Sequence, residues 1–186
     1  MEEENQILSE ELVTAKEDES DSEKSDTNTE SEIIMLNPTK EYERPFLYAF
    51  IPSISRSYKY DISLSGKWMM FFAKNILDEK WKMCCDLYKA RKLTGIAQMK
   101  VSTSVRSPRT TDHANGVIIF YCGPANDEEA VMAYGKKLLE VVPYTGNRYM
   151  YYKSDEQTYE GTRATGQKKN HLYKISVPVV PESWRK

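Results

Sequence analysis

Two amphipathic stretches long enough to form helices interrupt a series of short aromatic and β-branched runs, and this order is what most limits the folds open to the chain. FLYAFI (46–51) and GKWMMFFA (66–73) read as strands joined by a segment containing Pro52. Asp78 is placed to cap a helix reaching about Lys92, in which Trp81, Cys84, Cys85 and Tyr88 fall at i, i+3, i+4 and i+7 on one face. A strand beginning GIAQMKV (95–101) follows, then a loop from Arg106 to Gly116, then VIIFYC (117–122), which Gly123 and Pro124 terminate. Asn126 or Asp127 caps a second helix whose Val131, Tyr134, Leu138 and Val141 make an apolar stripe, with Glu128 and Glu129 near its positive end. RYMYYK (148–153) and LYKISV (172–177) close the series as strands.

The predicted order is therefore β-β-α-β-β-α-β-β. Its connections are short except for Arg106–Gly116 and Asp155–Asn170, and short connections favour antiparallel pairing. The expected architecture is α+β: a curved, mostly antiparallel sheet with both helices on one face and the other face left for a ligand.

Charge divides the chain unevenly. Residues 1–33 carry 13 acidic and 2 basic side chains, a net of −11; the remaining residues hold the other 15 acidic and 24 basic ones, a net of about +9. Residues 1–40 include KEDESDSEKSDTNTESE, which has no aromatic residue and cannot bury enough apolar surface to offset its ordering entropy. We expect a disordered acidic tail there, one folded domain over 41–180, and a short C-terminal tail over 181–186. Ser20 and Ser22, set among acids, suit an acid-directed kinase. A cationic body favours polyanions, because Lys and Arg near phosphates release condensed counterions. RNA or a nucleotide is the expected partner, with protein partners for the helical face as an alternative.

No apolar run approaches 18 residues and the first residues lack the features of a signal peptide, so the expected setting is the cytoplasm or nucleus, away from membranes. Three cysteines, Cys84, Cys85 and Cys122, are too few and badly spaced for zinc or a disulfide framework, and read as small core residues. Neither His113 nor His171 has a second ligand at metal spacing, so no metal or other cofactor is expected. The chain has no GxSxG, Walker A or HExxH motif. A metal-independent phosphodiesterase or nucleotide hydrolase, using Lys153 or Tyr159 with one of the histidines, is the enzymatic alternative.

Period-two alternation locates a candidate site. Ala97, Met99 and Val101 take one face of their strand; Gln98, Lys100 and Ser102 take the other, towards the open side of the sheet. In RYMYYKSD the same alternation groups Tyr149, Tyr151, Lys153 and Asp155, and the following TYEGTR brings in Thr158, Tyr159 and Arg163. Lys100, Ser102, Arg109, Lys153, Thr158 and Arg163 would donate to a phosphate, and Tyr151 or Tyr159 would stack on a base. Asp155 would orient Lys153 or Arg163, or accept a hydrogen bond from a base or ribose.

The segments SGKW (65–68), DEKW (78–81), GIAQMKV (95–101), NGVIIFY (115–121) and NDEEAVMAYGKKL (126–138) resemble those of cap-binding translation initiation factor 4E. KVST (100–103) and YYKSDEQTYEG (151–161) are similar to the basophilic leukemia-expressed protein family, whose fold is 4E-like. The resemblance spans roughly Phe46 to Val177. It implies the 4E fold, structural roles for Trp68 and Trp81, and a phosphate-binding cation at Lys100. It does not carry over the cap site: a 4E factor stacks methylated guanine between two tryptophans beside a glutamate, and Pro52–Leu64, where one such pair should lie, has neither Trp nor Glu. Tyr58 or Tyr60 would stack a base more weakly.

Overall fold

A computed structural model describes residues 36–58, 61, 64–106, 113–159 and 170–178. Its strands are β1 (Phe46–Ala49), β2 (Gly66–Ala73), β3 (Gln98–Ser102), β4 (Asn115–Cys122), β5 (Tyr149–Ser154) and β6 (Tyr173–Ser176). Its helices are α1 (Pro52–Ser57), α2 (Lys74–Lys89), α3 (Glu128–Val141) and α4 (Asp155–Tyr159), preceded by a 3₁₀ turn at Pro38–Lys40. The strands form one sheet in the order β1-β3-β4-β2-β5-β6, and every pairing in it is antiparallel.

The sheet is organised around β2 and β4, which pair in unbroken register from Gly66↔Cys122 to Ala73↔Asn115. Alternation sorts their side chains. Trp68, Met70 and Phe72 of β2 and Ile118, Phe120 and Cys122 of β4 are all buried, and they join Leu77, Trp81, Cys84, Cys85 and Tyr88 of α2 and Val131 and Leu138 of α3 in one core. Met99 and Val101 of β3 and Met150 and Tyr152 of β5 extend it along the same face. Trp68 and Trp81, at 0% and 2% exposure, are structural, as the resemblance implies. The three cysteines are free and buried, and burial pushes their thiols upward, Cys85 to about 12, so they behave as apolar residues. No helix among the described residues is long and apolar enough to cross a membrane.

One long helix starts earlier than expected, and the other starts where expected. The helix expected to begin at Asp78 begins at Lys74, directly after β2, because the Lys74 amide is already satisfied by the Ala114 carbonyl at 3.0 Å. Asp78, inside α2, instead receives the Thr39 amide (2.9 Å) and hydroxyl (2.6 Å), which pins the Pro38–Lys40 turn onto the helix. At α3 the cap is Asp127, whose carboxylate accepts from the Ala130 amide at 3.0 Å. Two short helices arise where only connections were expected: α1, opened by Pro52 at its first position, and α4, immediately after β5.

Gly135 sets how closely α3 lies on the sheet. A Cβ there would stand 2.6 Å from the Trp68 ring and 2.5 Å from Ile175 Cδ1. That approach also lets Trp68 Nε1 donate to the Val131 carbonyl at 3.2 Å. Replacing Gly135 with Val should therefore overpack the core, costing roughly 2–3 kcal/mol and lowering Tm by roughly 5–10 °C in a thermal melt. An unchanged melting temperature would show that α3 can shift away from Trp68 at little cost.

Candidate functional site

The face of the sheet opposite α2 and α3 carries what the core excluded. Two transverse rows follow from the pairing register. One runs Tyr48–Lys100–Ile119–Met69–Tyr151–Lys174 across all six strands. The other runs Gln98–Tyr121–Lys67–Lys153 across the middle four. The first row carries a ring and a lysine at each end with Ile119 and Met69 between them, and the second sets Tyr121 beside Lys67 and Lys153.

Lys67 lies near the middle of the second row. It is only 7% exposed, and it is held by a salt bridge to Asp155, the first residue of α4, whose other carboxylate oxygen accepts from the Ser65 hydroxyl. The Asp155 amide in turn donates to the Ser65 carbonyl at 2.9 Å, so the segment entering β2 and the start of α4 are tied together twice. Lys67 Nζ also sits 5.7 Å from the centre of the Tyr121 ring.

Lys100 shares that ring. Its ammonium lies 5.4 Å from the Tyr121 centroid, 4.4 Å from Phe46 and 5.9 Å from Tyr48, an aromatic enclosure on three sides. Burial, followed by repulsion from Lys67, holds the Lys100 ammonium below its ordinary value, while Asp155 pulls the other way. The charged form of Lys100 is therefore disfavoured by folding; this cost is present at neutral pH and is relieved as pH rises from the folded-state value towards the ordinary one. An anion near Lys67 and Lys100 would act in the same sense as Asp155 on both.

The residues expected to form the site divide into those brought together and those used elsewhere. Lys100, Tyr151 and Lys153 lie on the open face, with Asp155 at its margin. Asp155, expected to orient Lys153 or Arg163, holds Lys67 on the neighbouring strand β2, and Arg163 lies outside the described residues. Lys153 donates to the Asn170 side-chain carbonyl at 2.8 Å, and the Tyr151 ring lies 4.8 Å from that of His171. Ser102 Oγ accepts the Val117 amide at 2.9 Å and so completes the β3–β4 ladder. Thr158 Oγ1 donates to the Ser154 carbonyl at 3.1 Å inside α4, while Tyr159 is 87% exposed at the end of that helix. Arg109, Arg163 and Tyr60 lie outside the described residues, as does most of the expected acidic tail. Tyr58 closes the C-terminal end of α1. His113 is exposed, and no group of three His, Cys, Asp or Glu among the described residues could hold a metal ion.

Lys67, Tyr121 and Ser65 are the members that sequence reasoning missed. Alternation would have found two of them: if Trp68 faces the helices, Lys67 faces away, and Tyr121 differs in the same manner from Phe120.

A single antiparallel sheet, helices on one face and a cationic, aromatic opposite face define an α+β protein of the eIF4E-like class. A schistosome eIF4E, solved in complex with m7GpppA and 4E-BP, superposes with a TM-score of 0.53 at 17% identity, over 73% of this chain and 72% of that one. C. elegans eIF4E-3, in complex with the 4E-binding protein Mextli and a cap analog, gives 0.51 at 12% identity, over 70% and 68%. The profile of the basophilic leukemia-expressed protein Bles03 family matches residues 3–161, and the chain belongs to that family. A search of curated proteins finds no match.

The Lys67–Asp155 pair makes a sharp prediction. Asp155→Asn leaves a nearly buried ammonium without its counter-charge and should destabilise the fold by roughly 2–4 kcal/mol in chemical denaturation. The same variant should move the Lys100 titration further down, read by NMR of ¹³C-labelled lysine side chains, since the carboxylate that favours its charged form is gone. A Lys100 titration that does not move, or moves up, would show that the two groups are not electrostatically linked.

Proposed function

We propose that this protein is a binding module that holds a phosphorylated ligand, RNA or a nucleotide, against the open face of its sheet, without ordinary cap recognition. The observation that carries this reading is the pair formed by Lys67 and Lys100 on either side of the Tyr121 ring. Two ammonium groups drawn to one ring, one of them nearly buried, with Asp155 the one carboxylate near them among the described residues, leave an excess of positive charge in a site of reduced dielectric. A phosphate offsets that excess and the ring offers a stacking surface.

The body's surplus of about nine positive charges outside residues 1–33 favours the same class of ligand. Solved proteins of this fold are complexed with cap dinucleotides, which gives the fold a precedent for phosphorylated ligands. The absence of Trp and Glu from 52–64 argues against cap selectivity here.

The test is equilibrium binding of guanosine triphosphate, uridine triphosphate and a single-stranded octaribonucleotide at two salt concentrations. Saturable binding should weaken as salt rises, and Lys100→Ala should lower affinity about tenfold and reduce the salt slope by about one. The cap analog m7GTP should bind no better than GTP. If none of the probes binds saturably, the reading fails.

A further inference from the structure

The open face offers more than one stacking surface, and the surfaces are far apart. Tyr48 on edge strand β1 is 62% exposed, although it flanks Lys100 and a core lies directly beneath its strand. Phe50, which continues β1, is also exposed, at 45%. Towards the opposite side of the sheet, Tyr149 and Tyr151 of β5 lie 6.3 Å apart between ring centres, and Tyr151 is backed by His171. Cations accompany this second group: Lys174 Nζ lies 4.9 Å and the Arg148 guanidinium 5.5 Å from the centre of the Tyr149 ring.

Tyr48 and Tyr151 belong to the same transverse row and are four strand spacings apart, roughly 19 Å. Lys100 lies between them next to Tyr48, and Lys174 lies just beyond Tyr151. Rings at both ends with lysines interleaved match a chain that repeats a flat base and a phosphate. A single nucleotide meets one end of this row or its middle and leaves the other end idle. A duplex presents no base faces to these rings, since its bases are stacked on one another.

We infer that the open face is a platform for a single-stranded oligonucleotide, which crosses the strands from Tyr48 to Tyr151 with its bases on the two aromatic groups and its phosphates on Lys100, next to Tyr48, and Lys174, just beyond Tyr151. This rests on the reading of the face as a phosphate-binding surface and adds its length and its strandedness. The span corresponds to roughly four nucleotides, the lower end of the site sizes found for such platforms.

The test measures affinity of the full chain for oligouridylates of one, two, four and six nucleotides, with oligodeoxythymidylates as a parallel series and a twelve-base-pair duplex as competitor. Affinity should rise by at least tenfold from one to four nucleotides and then level off, with the duplex competing poorly. Comparable rises in both series assign the site to single strands in general; a rise in the ribose series alone assigns it to RNA. Tyr48→Ala should lower tetramer affinity by about tenfold and be rescued by Tyr48→Phe, which keeps the stacking ring. Tyr48 is exposed enough that either substitution leaves the fold intact. Equal affinity for one and six nucleotides overturns the inference and leaves the phosphate-binding reading standing. Equal competition by duplex, or a Tyr48→Ala chain that binds the tetramer normally, also overturns it. If neither mononucleotides nor oligomers bind, the underlying reading fails first.

Discussion

The unbroken pairing of β2 with β4 is the constraint on which the rest of the molecule depends. Because side chains alternate with a period of two, this register decides at once which residues meet the helices and which stand on the open face. A slip of one residue would turn Trp68, Met70 and Phe72 out to water and drive Lys67 beneath α3. The cost of placing an ammonium there, added to the loss of the Trp68 contact with Gly135, leaves one register far below the other in free energy. Core and candidate site are thus two consequences of one pairing.

Lys67 shows how the sheet carries charge at its centre. Lys67 is nearly buried on a central strand, and this is compatible with folding because α4 starts directly after β5 and brings Asp155 to it. The carboxylate is positioned by the Ser65 hydroxyl and by its own amide bond to the Ser65 carbonyl, so little ordering remains to be done when the salt bridge closes. Lys100, one row away, has no carboxylate of its own among the groups that perturb it favourably except the one already shared with Lys67. The imbalance is local, and it arises in the stiffest part of the fold.

Much of this architecture is legible in the sequence, for identifiable reasons. The strands were found because aromatic and β-branched residues alternate over four to eight positions. The two long helices were found because their apolar residues recur at helical spacing, and the antiparallel arrangement follows from short connections. What failed was local. Asp78 looks like a helix cap, but the helix starts earlier because Ala114, just before β4, supplies a partner for the Lys74 amide, a long-range contact no local motif encodes. The site divides similarly. Lys100, Tyr151 and Lys153 follow from alternation within their own strands, whereas the pairing of Asp155 with Lys67 needs the order β4-β2-β5, which short-range patterns do not determine. Ser102 Oγ accepts the Val117 amide, a bond that strand alternation alone does not reveal and that leaves its own O–H as a donor.

The division between strand-borne and connection-borne residues also bears on specificity. Lys67, Lys100 and Lys153 stand on paired strands, where their spacing is set by backbone hydrogen bonds and differs little among proteins that share the sheet. Base-selective groups in a site of this kind are carried by connections, which vary freely because few contacts restrain them. A likeness of 17% identity over about three quarters of the chain preserves the sheet. In this chain the connection between β1 and β2 has become α1 followed by a segment without Trp or Glu, and the largest exposed rings near the lysines, Tyr48 and Phe50, belong to the edge strand and its continuation. Rings carried by the sheet rather than by a connection would be sequence-tolerant stacking surfaces, because every base presents the same kind of face to a ring fixed in a strand.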